Sequence, residues 1–66
     1  MATHRFMQYL IDAKHGSVYW CADGVLMFSP LRTDSTFDTE EAGEVDFPHL
    51  DEEDRAYMEK IKERLC

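Results

Sequence analysis

The chain predicts an α+β fold: a small antiparallel meander of three or four strands with one C-terminal helix packed on one face. Three observations carry that expectation. Two apolar runs, Val18–Ala22 and Val25–Phe28, flank Asp23-Gly24, and an Asp-Gly pair supplies the positive φ that a type I′ hairpin turn needs. An earlier apolar stretch ends in Lys14-His15-Gly16-Ser17, a second turn with its own glycine. Beyond residue 50 the period changes from two to that of a helix.

Taken in order, residues 5–13 read as the first strand. Met7, Tyr9, Ile11 and Ala13 alternate with Phe6, Gln8, Leu10 and Asp12, so one face is apolar and the other mixed. With His15-Gly16 as a two-residue loop, Ala13 faces Val18 and Ile11 faces Trp20. Strands over 18–22 and 25–29 follow, with Ala22 opposite Val25 and Trp20 opposite Met27. Met7, Tyr9, Ile11, Ala13, Val18, Trp20, Ala22, Val25 and Met27 then share one face, expected to be the core with Trp20 at its centre. Phe6, Leu10, Tyr19, Cys21, Leu26 and Phe28 share the other, and a one-residue slip would exchange the two sets. Pro30 ends the third strand, as suits an edge position.

The segment 31–49 is harder to read. Thr39–Gly43 has the makings of one helical turn, capped by Thr39 and stopped by Gly43. Residues 44–47 alternate, and a fourth strand there would turn Val45 and Phe47 inward. Residues 51–65 form the helix. Asp51 caps it and Asp54 imitates a capping box. Acids fill its first turn and Lys60, Lys62 and Arg64 its last, complementing the helix dipole. Tyr57, Met58, Ile61 and Leu65 make its apolar stripe.

Size and composition set the class. The 66 residues make a single small domain, with little margin of stability at that length and oligomerisation as a common remedy. The 44% apolar content suits a folded protein, and no run approaches the ~20 residues of a membrane span. Met1–Arg5 leads into an apolar stretch broken by Gln8 and Asp12, a poor signal-peptide core. A cytoplasmic protein with Cys21 and Cys66 as free thiols is expected, since a bridge between them would tie a strand to a chain end that normally frays.

Motifs for chemistry are missing. His4, His15, His49, Cys21 and Cys66 form no metal-ligand spacing. The acids make no EF-hand run, and no nucleophile stands beside a base. The sequence therefore assigns no catalytic, cofactor or metal residues and points to a non-enzyme.

What stands out is the layout of charge. The net charge is −7, and ten acids lie between Asp34 and Asp54 with no Lys or Arg among them. The rest of the chain holds seven Lys or Arg against four acids. That balance argues against direct binding to nucleic acid or to a membrane surface. Two readings follow. In the first, Asp34, Asp38, Glu40, Glu41, Glu44 and Asp46 imitate nucleic-acid phosphate and bind a basic surface of another protein, as a small inhibitor of a nucleic-acid-handling partner does. In the second, the acids serve solubility, and the chain is an accessory homodimer held by an exposed apolar face of Phe6, Leu10, Tyr19, Leu26 and Phe28.

Overall fold

The computed structural model describes residues 8–34 and 36–66. It is a four-stranded antiparallel meander in the order β1-β2-β3-β4, followed by one C-terminal helix. The strands are β1 (Leu10–Asp12), β2 (Ser17–Ala22), β3 (Val25–Pro30) and β4 (Gly43–Glu44), and the helix is α1 (Glu52–Leu65). The expected α+β class and the meander are both present. Phe6 and Met7 lie outside the described residues.

The β2–β3 hairpin is the expected one. Asp23 and Gly24 both take positive φ, 51° and 77°, and Ala22 pairs with Val25 and Trp20 with Met27. The β1–β2 hairpin differs. Ile11 pairs with Val18 and Asp12 with Ser17, a shift of two residues from the expected register, and the loop is four residues rather than two. Asp12 causes this. Its carboxylate accepts the His15 backbone N–H at 3.2 Å and faces His15 Nδ1 at 2.8 Å, so the chain turns on the aspartate side chain before it reaches Gly16. A shift of two preserves which residues share a face.

The assignment of the helix to a face is corrected. α1 covers the side carrying Tyr19 and Leu26, and Ile61 completes that core. Leu10, Phe28, Val45, Phe47, Met58 and Leu65 pack around it. The disulfide Cys21–Cys66 explains the choice: Cys21 stands on the same face as Tyr19, and the bridge holds the helix C-terminus there with the two Cα atoms 5.5 Å apart. The expectation of free thiols is thereby overturned, and with it the argument from reduced thiols for a reducing compartment. The bridge secures the end that would otherwise fray.

Trp20 therefore does not lie beneath the helix. It is only 4% exposed, but it is buried on the opposite face by two other rings. Tyr9 meets it edge-on at 5.7 Å between centroids, and Phe37 lies 6.0 Å away. Tyr9 and Phe37 also contact each other at 5.1 Å. Val18 and Ser29 are fully buried on this side, and Ser29 Oγ donates to the Asp38 carbonyl at 2.9 Å. That bond draws the segment after β3 back across the sheet.

The 31–49 segment is ordered by short-range bonds. A 3-10 turn covers Thr39–Glu41, and its cap is Asp38 rather than Thr39, with the Asp38 carboxylate accepting from Glu40 N–H. The fourth strand is Gly43–Glu44, shorter than the expected 44–47. It ends early because Pro48 favours a second 3-10 turn, Phe47–His49. Val45 and Phe47 still pack inward as expected. α1 starts where predicted, with the Asp51 carboxylate accepting Asp54 N–H at 2.8 Å.

Candidate interaction surface

The sheet order makes β4 an edge strand. The acids run along this edge and on through the connection to α1. Asp34, Glu40, Glu41, Glu44 and Asp46 are exposed, as are Asp51 to Asp54, while Asp38 is half-buried.

Four of the six acids picked out between residues 34 and 46 have local partners. Asp34 accepts from both the hydroxyl and the backbone N–H of Thr36, and these two bonds hold its carboxyl below the usual value. Asp38 caps the first 3-10 turn and lies 3.7 Å from Arg32. Glu41 pairs with Arg32 at 2.9 Å, and Asp46 meets His49 Nδ1 at 2.7 Å. Glu40 and Glu44 make no side-chain hydrogen bond or ion pair among the described residues. The basic residues bounding the run are turned to internal use. Arg32 is spent on Glu41 and Asp38, while Arg55 donates to the carbonyls of Phe47 at 3.3 Å and Leu50 at 3.0 Å. The carboxylates are thus mounted on fixed turns, and the adjacent arginines neutralise only part of their charge.

The apolar set expected to form a dimer face is elsewhere. Tyr19 and Leu26 are buried beneath α1, and Leu10 and Phe28 pack beside them. Phe6 lies outside the described residues. The reason is the face correction above: the helix takes the side that had been left open, so these side chains make intramolecular contacts.

Two further features were not singled out from the sequence. Beside the acidic edge, a cleft of about 340 Å³ opens between β2–β3, the 44–50 segment and α1. Phe28, Val45, Leu50 and Met58 form its apolar walls, and the buried Tyr19 lies at its base. Asp46 and His49 are exposed at its mouth. Glu44 also borders it, but its register opposite Met27 directs the side chain to the other face of the sheet. The sequence marks Phe28, Val45 and Met58 as apolar positions of their elements, but nothing in it brings the three to one cleft.

The second feature is a buried carboxylate. Asp12 is 7% exposed. It accepts the Tyr57 hydroxyl at 2.7 Å, in addition to its two bonds with His15. Burial pushes its pKa up, but the hydrogen bonds from Tyr57 and His15 outweigh that and bring it below the ordinary value. The same bond pushes the Tyr57 phenol up to about 12. The Tyr57–Asp12 bond joins the first hairpin to α1 across 45 residues of chain. Among the described residues no group of three or more His, Cys, Asp or Glu is arranged to hold a metal ion, and no helix is long and apolar enough to cross a membrane.

Comparison with protein-family models, with curated proteins and with solved structures found no match to this chain.

Proposed function

We propose that the protein binds a basic surface on another protein, with the carboxylates of residues 34–54 taking the place that nucleic-acid phosphate would occupy there. One observation carries this reading: ten acids with no Lys or Arg among them lie on short turns, an edge strand and a helix N-terminus, and nine of them are exposed. A merely solubilising tail needs no such mounting. Fixed charges lose less entropy when they meet a partner, and a field of one sign speeds encounter with the opposite sign. The role is that of a small interaction protein or inhibitor rather than an enzyme. Dimerisation through Leu10, Tyr19, Leu26 and Phe28 is not proposed, since those side chains pack within the chain.

The test uses exposed acids whose side chains make no hydrogen bond or ion pair among the described residues. Tagged wild type and a Glu40→Gln, Glu44→Gln, Glu53→Gln variant are compared for capture from nuclease-treated lysate. Proteins retained by wild type should be lost from the variant and released by added heparin or double-stranded DNA. Equal capture by both forms, or capture indifferent to either polyanion, would sink the reading.

A further inference from the structure

We infer that the cleft beside β4 is the anchor point of this interface, and that it takes an apolar side chain of the partner flanked by arginine. The inference rests on the proposed function and adds to it what the partner must present. Phe28, Val45, Leu50 and Met58 offer apolar walls to anything that enters. A volume of about 340 Å³ is at the small end for ligand sites, a size for one or two side chains rather than a cofactor. The mouth carries one carboxylate. Asp46 is exposed there with His49 Nδ1 on one of its oxygens at 2.7 Å, which leaves its other oxygen for a partner, and Arg55 is occupied by the Phe47 and Leu50 carbonyls.

Charge complementarity therefore selects the occupant. An acidic or neutral apolar segment would bring nothing to Asp46. Lysine is a compact, strongly hydrated charge, whereas arginine is weakly hydrated and its planar fork matches a carboxylate while its flat face lies on apolar or aromatic surface. Protein interfaces commonly concentrate their affinity in one desolvated pocket within a polar rim. Here the carboxylate edge would steer the partner and the cleft would hold it.

The test titrates the isotope-labelled protein with synthetic hexapeptides and follows its NMR signals. Two peptides carry equal positive charge from arginine and differ at one central position, leucine or glycine. A third carries the leucine between glutamates. The leucine–arginine peptide should shift Val45, Leu50 and Met58 and bind about tenfold more tightly than the glycine peptide, the factor expected for burying most of one leucine. Asp46→Asn should weaken it severalfold and leave the protein's own spectrum folded. Equal affinity of the two basic peptides, with shifts spread over the carboxylates, would overturn the cleft and leave the charge reading standing. Binding of the glutamate peptide as well as the arginine one would overturn the arginine. If no basic peptide binds even at low salt, the cleft and the charge reading fall together.

Discussion

The two faces of the sheet are closed in different ways. On one, a regular helix lays Ile61, Met58 and Leu65 over Tyr19 and Leu26, with its far end bonded to β2 through Cys21–Cys66. On the other, Trp20 is covered by single rings, Tyr9 from before β1 and Phe37 from after β3. The first cover is centred on one element whose three side chains move together, with Val45 and Phe47 packed beside it. The second is assembled from separate stretches, and Tyr9 remains 42% exposed and Ile11 61% exposed on that side. Burial of the central residue is equally complete in both cases, so burial alone does not reveal which face holds the fold together.

The largest expected effect is on the helix face. Closing a loop across 45 residues is worth about 4 kcal/mol in the chain-entropy account of disulfides. Cys21→Ser with Cys66→Ser should lower stability in urea by that order. A loss under ~1 kcal/mol would mean that the helix is held by packing alone. Next comes Leu26→Ala. Leu26 is 1% exposed at the centre of the helix face, and such truncations cost about 2–5 kcal/mol. Circular dichroism should show sheet and helix lost together.

On the opposite face Phe37→Ala should cost less, about 1–2 kcal/mol, as a half-buried ring that gives up its aromatic contacts. Its signature should be local: altered Trp20 fluorescence with the helix signal unchanged below the melting transition. A cost equal to that of Leu26→Ala, with simultaneous loss of helix, would make the two faces equivalent and break the comparison.

A last effect, of the same order as that of Phe37→Ala, tests the tie between hairpin and helix. Tyr57→Phe removes one hydrogen bond to a charged group, about 1–2 kcal/mol at neutral pH. Asp12 titrates lower in the folded chain, so its contribution is present above the unfolded carboxyl value and fades as pH falls through the folded one. The Tyr57 phenol titrates higher, so its contribution is complete below pH ~10 and fades as pH rises towards about 12. Wild type and variant should therefore differ most near neutrality and converge at both extremes. A difference independent of pH would show that the hydroxyl does not bond to a charged Asp12.

How much of this was legible differs from residue to residue. Asp23-Gly24 dictated its hairpin, and Asp51 with its acidic first turn dictated the start of α1, because both are decided within four residues of chain. Asp12 falls in the mixed set of the first strand, and nothing local marks it as the cap of its own turn and the partner of Tyr57, 45 residues away. The acids of the candidate surface were visible as a run, but their mounting was not. Arg32 to Glu41 and Ser29 to Asp38 are contacts that only folding brings about.

By itself the sequence determined the strands that alternate, the sets of residues that share a face, the type I′ turn and the helix with its cap. Each depends on backbone geometry over a few residues, where the periods of two and 3.6 leave little choice. Only the tertiary structure decided which of two apolar faces receives the helix. Both were hydrophobic enough, and the hydrophobic effect has no direction with which to choose between them. The choice came from long-range constraints: the joining of Cys21 to Cys66, the bond from Tyr57 to Asp12, and the inward turn of Val45 and Phe47 as the chain left the sheet edge. These bring together residues that chain order keeps apart.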